Sequence, residues 1–215
     1  MKSDKKLSDI RNEYKLEELV REKVSDSPFK QLEYWINEAV NAKLYEPTAM
    51  TISTVDATGK PSSRVVLLKG LEEDGLTFFS NYKSKKGLEL ETNPYIAINF
   101  FWPELERQVR IQGKTEKVNS EVSDAYFNSR PEGSKLGAWA SPQSQTISSR
   151  EELVNRMEKY QKEFEGKEIP RPDYWGGYKV IPEYFEFWQG RPNRLHDRIA
   201  YSKKNGNWVI ERLAP

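Results

Sequence analysis

Apolar and polar positions follow two different rhythms along this chain, and the change between them organises it. Through residue 24 the chain is highly charged, with Ile10, Tyr14, Leu16, Leu19 and Val20 at loosely helical spacing, which predicts a mobile arm carrying a short helix. Ser27-Pro28 has the form of a helix cap followed by a first-turn proline. A helix is therefore expected over 28–44, burying Leu32, Trp35, Ile36, Ala39 and Val40 and stopped by Pro47. From residue 49 the period falls to two. Strands are predicted over 49–55 and 63–69 around a turn at 56–61, over 76–80 after Glu72-Glu73-Asp74-Gly75, and over 95–102 and 107–118 on either side of Pro103. A short helical piece at 84–91 ends at Asn93-Pro94, because the residue before proline avoids the helical region.

Three more helices are predicted over 120–129, 133–139 and 149–164. The last has Ser149 as cap and Glu151 and Glu152 in its first turn, where carboxylates complement the helix dipole. Residues 140–145 are polar and irregular. Strands over 178–187, 198–202 and 208–213 complete the chain, the last two joined by an Asn205-Gly206 hairpin turn. About seven antiparallel strands interrupted by helices define a mainly β fold with helices, of the α+β class, closed or nearly closed into a barrel. The expected organisation is an arm and lid over 1–26 and a single domain over 27–215.

Composition narrows the functions open to this fold. The 215 residues carry 34 basic and 33 acidic side chains, a formal net charge of +1, so nothing global draws the chain to nucleic acid or to an anionic membrane. Any anion must be held by a local cluster. With no cysteine, disulfide and thiolate chemistry are excluded; with one histidine besides, only carboxylates remain as metal ligands, and these show no calcium-loop spacing. The absence of an apolar signal core or bilayer-length segment leads to the expectation of a soluble cytoplasmic protein. There is no Gly-rich dinucleotide fingerprint, Walker loop or nucleophile elbow.

Four clusters carry candidate chemistry. Arg64-Val65-Val66-Leu67-Leu68-Lys69 puts an arginine and a lysine on opposite faces of one strand. Asn81-Tyr82-Lys83-Ser84-Lys85-Lys86-Gly87 brings a basic loop to a helix start, where backbone N–H groups favour phosphate. Tyr126, Arg130 and Ser134 combine phenol, guanidinium and hydroxyl; at a spacing of four, Tyr126 and Arg130 share a face if the helix continues. Glu186 to Arg198 holds the single histidine, His196, among three arginines. Each has an ordinary alternative as a solvated strand end, capped turn, helix terminus or edge hairpin.

Together the clusters resemble the pyridoxine (pyridoxamine) 5'-phosphate oxidase family. The motifs that carry the resemblance are Arg-Val-Val-Leu-Leu-Lys at 64–69, Glu-Arg-Gln-Val-Arg at 106–110, Phe-Asn-Ser-Arg-Pro at 127–131 and Gly-Ala-Trp-Ala-Ser-Pro-Gln-Ser at 137–144. Phe-Trp-Gln-Gly at 187–190, Arg-Leu-His-Asp-Arg at 194–198 and a terminal Arg-Leu-Ala-Pro complete them. The likeness runs from about Arg11 to Pro215.

That resemblance implies an FMN-binding split β-barrel working as a homodimer, its C-terminal segment serving dimerisation and the active site. It places Arg64, Val65, Val66, Leu67, Phe79, Ser80, Lys85, Lys86 and Gln108 against FMN from one subunit, with Gln143, Ser144, Trp188 and Arg198 reaching it from the other. Lys69, Tyr126, Arg130 and Ser134 would hold the substrate phosphate. Arg194 and His196, the implied catalytic pair, would meet the pyridine ring, and the segment from Arg11 to Tyr14 would close over the site. The implied reaction oxidises pyridoxine or pyridoxamine 5'-phosphate to pyridoxal 5'-phosphate, with oxygen reoxidising the flavin to give hydrogen peroxide. A flavin barrel that reduces another substrate would have no need of the phosphate cluster at Tyr126, Arg130 and Ser134. An aromatic barrel that stacks single-stranded nucleic acid is disfavoured by the near-zero net charge.

Overall fold

The computed structural model describes residues 6–7 and 13–215. In chain order the elements are α1 (Pro28–Asn41), β1 (Ala49–Val55), β2 (Pro61–Leu67), β3 (Gly70–Glu72), β4 (Gly75–Asn81), α2 (Lys85–Thr92), β5 (Tyr95–Trp102), β6 (Arg107–Lys117), α3 (Ser120–Ser129), α4 (Glu132–Ala140), α5 (Arg150–Glu163), β7 (Trp175–Gln189), β8 (Asp197–Lys204) and β9 (Asn207–Arg212). The fold is thus α+β and mainly β, as the two rhythms predict. Where a short helix is expected in the arm, residues 13–24 hold a single 3-10 turn, Arg21–Lys23. The chain divides into two compact units, one of Met1–Pro47, Asn99–Ile111 and Glu183–Pro215, the other of Thr48–Ile98 and Gln112–Pro182. Strands β5, β6 and β7 contribute to both.

In the larger unit the strand order is β2-β1-β5-β6-β7-β4-β3. β1 and β2 pair antiparallel around a turn that Asp56 closes, its Oδ1 accepting from the Thr58 and Lys60 N–H groups at 2.8 and 3.0 Å. β4 pairs antiparallel with β7 from Leu76↔Val180 to Asn81↔Trp175. The short strand β3 is absent from the sequence reading, which takes Glu72 into a turn; three residues are too few to show a period. Phe127, Leu136, Ile169 and Trp175 are buried together where α3, α4 and the start of β7 meet. Gly113 allows β6 to press against β7, because a Cβ there would lie 2.2 Å from the Ile181 carbonyl oxygen.

In the smaller unit, the adjoining parts of β5, β6 and β7 continue into β8 and β9. Asn205 and Gly206, both at positive φ, make the expected hairpin turn between the last two strands. Helix α1 is capped by Ser27, whose side chain accepts from Lys30 N–H, and begins with Pro28 as predicted. Its buried face, Phe29, Leu32, Trp35 and Ala39, packs on β7: Trp35 meets Phe187 edge-on at 5.2 Å, and Phe29 meets Phe185 at 5.2 Å. Arg107 is buried under α1, donating to Glu38 at 2.6 Å and to Gln189 at 2.8 Å while its guanidinium lies over the Trp35 ring. Desolvation of that charge is offset by partners on both sides. Replacing Gly113 by Ala forces β6 and β7 apart, and a loss of about 1–3 kcal/mol is expected in urea unfolding.

Candidate active site

The larger unit holds a cleft of about 840 Å³, a size suited to a cofactor or small-molecule site. One end is built by β2, the end of β4 and the first turn of α2. Ser84 caps α2: its Oγ donates to the Asn81 carbonyl at 2.7 Å and accepts from the Gly87 N–H at 3.4 Å. Gly87 is required here, since a Cβ would fall 2.0 Å from the Tyr82 carbonyl oxygen. This close seat turns Lys86 inward, where it is 6% exposed and its Nζ donates to Ser80 Oγ (3.0 Å), Ser84 Oγ (3.2 Å) and Gln143 Oε1 (3.2 Å). Burial, with help from the Arg64 charge and against the pull of Glu89, lowers the Lys86 pKa to about 8. Arg64 donates to Thr54 and Ser62 hydroxyls and lies 3.3 Å from Glu89, and the exposed Lys85 sits 3.8 Å from the same carboxylate. Val65, Val66, Leu67 and Phe79 add apolar wall. Gln143 and Ser144 line the cleft as well, Gln143 bonded to Ser80 and Lys86.

Lys69, Tyr126, Arg130 and Ser134 also line this cleft. Tyr126 and Arg130 do not share a helix face, because α3 stops at Ser129 and Arg130 is extended at φ −75°, ψ 149°. Pro131 enforces the stop, since the residue before a proline is driven out of the helical region. Ser134 enters from the first turn of α4. Tyr126 stacks on Phe79 with centroids 3.9 Å apart, and the Arg130 guanidinium lies 4.6 Å from the Trp175 ring centroid. Burial raises the Tyr126 pKa, opposed by the Arg130 charge, and lowers that of Arg130. Arg130 Nη1 is buried with no hydrogen-bond partner. A guanidinium N–H left so costs on the order of 1–3 kcal/mol, which an anionic acceptor in the cleft would recover. Lys69 lies beyond the end of β2, exposed, in the connection to β3.

The remaining expected site residues belong to the smaller unit. Gln108 lies in β6, and Trp188 pairs with Arg198 across β7 and β8. Trp188, His196 and Tyr14 form a cluster of rings, 4.7 Å between Trp188 and His196 and 5.7 Å from Tyr14 to each. Gly190 makes room for it: a Cβ would lie 2.7 Å from the Tyr14 ring. His196 Nδ1 accepts from the Arg191 N–H at 3.1 Å, so the neutral ring carries its proton on Nε2. Partial burial, aided by the Arg194 charge, lowers its pKa below 6.5. Asn193 and Arg194 both have positive φ, 56° and 61°, a conformation that costs energy outside glycine and holds Arg194 exposed on a tight turn. Arg198 donates from Nε to the buried Glu186 at 2.9 Å and from Nη1 to the Ala214 carbonyl at 2.6 Å. Arg11 lies outside the described residues.

Two carboxylates escaped the sequence reading. Glu186 accepts from Arg198, Arg110 and Tyr184, and Glu89 from Arg64, Thr54 and Ser62. The signal for Glu89 was present, since three and four residues after Lys86 a helix returns to the same face, and Glu89 precedes the buried Leu90 there.

The sheet and its cationic cleft define a split β-barrel protein. A solved structure titled PhzG from Burkholderia lata 383, in complex with tetrahydrophenazine-1-carboxylic acid, superposes with a TM-score of 0.87 at 27% identity, covering 93% of this chain and 99% of that one. A pyridoxamine 5'-phosphate oxidase-related, FMN-binding protein from Nostoc punctiforme shares the fold at a TM-score of 0.70 and 17% identity, covering 89% and 100%. The family model described as pyridoxamine 5'-phosphate oxidase matches residues 36–163, and that of the pyridoxine 5'-phosphate oxidase C-terminal dimerisation region matches 175–215. The pyridoxine/pyridoxamine 5'-phosphate oxidase of Mannheimia succiniciproducens is 54% identical over 97% of this chain and 99% of its own length, and that of Gloeothece citriformis 51% over 99% and 100%. The chain belongs to the pyridoxine/pyridoxamine 5'-phosphate oxidase family.

The Lys86 environment has a measurable consequence. Its folded pKa of about 8 lies below the ordinary 10.5, so across that window the unfolded chain binds more protons and Lys86 weakens the fold below it. That cost is relieved as pH rises. Urea unfolding should show wild type gaining up to roughly 3 kcal/mol relative to Lys86→Met between about pH 7.5 and 10.5.

Proposed function

We propose that the chain oxidises pyridoxine 5'-phosphate or pyridoxamine 5'-phosphate to pyridoxal 5'-phosphate, with FMN as cofactor and oxygen as final acceptor, releasing hydrogen peroxide. The supporting observation is a single cleft with two cationic groups, Arg64, Lys85 and Lys86 in one and Lys69 and Arg130 in the other. Two phosphate esters, one on a flavin and one on a substrate, use both. Bound FMN supplies a two-electron acceptor for the hydride equivalent leaving the 4' carbon and is reoxidised by oxygen.

The residues of the chain then have the following work. Arg64, Lys85 and Lys86, with Ser80, Gln143 and Ser144, bind the flavin phosphate and polar edge, and Val65, Val66, Leu67 and Phe79 line the wall beside it. The unpartnered Arg130 Nη1 takes a substrate phosphate oxygen, joined by Lys69, Tyr126 and Ser134. Fixing the phosphate fixes the ring, and positioning of this kind supplies much of the rate enhancement. We assign Arg194 and His196 to the substrate ring, and Gln108, Trp188 and Arg198 to the flavin. The chain pairs as a homodimer through the region matching the dimerisation model, so that Trp188, Arg194, His196 and Arg198 serve a site completed by a second copy. Tyr14 closes over that site, with Arg11 in the same segment. Because His196 Nδ1 already accepts the Arg191 N–H, its Nε2–H is a donor. His196 therefore orients the substrate through a donated hydrogen bond, and the 4' proton leaves by another route.

The purified protein is expected to be yellow and to release one peroxide per pyridoxal 5'-phosphate formed, with unphosphorylated pyridoxine a poor substrate; a colourless protein, or equal turnover of both, contradicts the reading. Arg130→Ala should raise KM for the phosphorylated substrate about 10- to 100-fold while changing kcat less, since the lost bonds anchor ground and transition states alike. His196→Asn, which keeps a donor, should retain activity and flatten the fall in turnover expected of wild type at acid pH, where protonating Nδ1 breaks its bond from the Arg191 N–H and frees the ring to turn, as a kcat profile would record.

A further inference from the structure

A carboxylate stands among the cations at the Arg64 end of the cleft. Glu89 is 4% exposed. Its two oxygens accept from Ser62 Oγ at 2.9 and 2.8 Å and from Thr54 Oγ1, and they lie 3.3 Å from Arg64 Nη2 and 3.8 Å from Lys85 Nζ. Burial pushes its pKa up, but the hydrogen bonds from Thr54 and Ser62 and the Arg64 charge outweigh it, and the carboxyl stays below its ordinary 4.5. Glu89 is thus ionised at neutral pH. Together with Arg64, Lys85 and Lys86 it leaves a group with a net charge of +2. A phosphate monoester carries about −1.5 to −2 near pH 7.

We propose that Glu89 is the resident counter-ion of this end of the cleft: it holds the three cations together when no anion is bound, and it matches their net charge to one phosphate monoester. The inference rests on the reading that this end takes the flavin phosphate. Without Glu89 the three cations repel one another in a poorly solvated site, and an incoming phosphate relieves that repulsion. A purely structural Glu89, tying α2 to β1 and β2 through Thr54 and Ser62, would give the same stability difference whether or not an anion is bound.

The test is thermal unfolding of the full chain, stripped of flavin, as wild type, Glu89→Gln and Ser62→Ala, in increasing inorganic phosphate at constant ionic strength and then in saturating FMN. Without anion, Glu89→Gln should melt roughly 5 °C below wild type. Phosphate or FMN should at least halve that gap, whereas Ser62→Ala, which removes a hydrogen bond but leaves the charge, should keep its own gap constant. FMN should therefore bind Glu89→Gln about 3- to 10-fold more tightly than wild type, read by quenching of flavin fluorescence. A gap for Glu89→Gln that stays constant, or FMN binding no tighter than in wild type, overturns the counter-ion role. Should Glu89→Gln be recoverable as folded protein only when phosphate or FMN is present, the role is supported; failure to fold under both conditions overturns it. If wild type itself gains no stability from phosphate or FMN, the phosphate reading falls instead, a result distinct from a constant gap in a wild type that does respond.

Discussion

Placing an ammonium inside the protein beside two other cations is the constraint on which the site depends. Lys86 is almost fully buried, and what surrounds its Nζ is three neutral oxygens, those of Ser80, Ser84 and Gln143. Neutral acceptors satisfy the N–H groups but do not cancel the charge, which is why burial dominates its lowered pKa. Such a group is poised for an anion. The backbone makes this possible: Ser84 serves at once as the cap of α2 and as a partner of Lys86, and Gly87 lets the helix start against the Tyr82 carbonyl. A single local turn chemistry, serine cap followed by glycine in the first turn, therefore sets the position of the cleft's most buried cation.

The elements with strong local signals were legible in the sequence. The Ser27-Pro28 helix start, the Ser84 cap, the period-two strands and the Asn205-Gly206 turn all rest on interactions within a few residues, and all are present. Departures lie where neighbouring residues offer nearly equivalent local choices. A shared face for Tyr126 and Arg130 depended on the helix running past residue 129; it stops there, as the 120–129 expectation has it, and the two reach the same cleft through a helix end and a turn. Ser149 was expected to cap α5; its side chain makes no cap bond, and the neighbouring Ser148 instead pairs with Glu152 through N–H and hydroxyl, at 3.1 and 3.0 Å. Either serine satisfies the same composition rule, and spacing alone does not choose between them.

The clusters of the candidate site were legible as clusters, but their partners were not. Arg64, Lys86 and Arg130 announce anion binding by type and spacing, whereas Thr54 and Trp175 join them only because the sheet pairs β1 with β2 and β4 with β7. The same holds for Gln143, a residue in an irregular segment whose contact with Lys86 spans 57 positions. In the smaller unit, the left-handed pair Asn193 and Arg194 carries no glycine to mark it, yet it shapes the turn between β7 and β8. Sequence reading finds the groups that do chemistry more readily than the groups that hold them in place.

His196 is the single imidazole in 215 residues, and it lies within the Trp188 and Tyr14 ring cluster. With selective labelling of histidine its carbon-bound ring protons give NMR signals that need no assignment by mutagenesis, displaced by the ring currents of two neighbouring aromatics. One resonance can report the tautomer, the protonation state and the closeness of Tyr14 during a titration, so the protein carries its own built-in spectroscopic reporter at the place where the chemistry is expected.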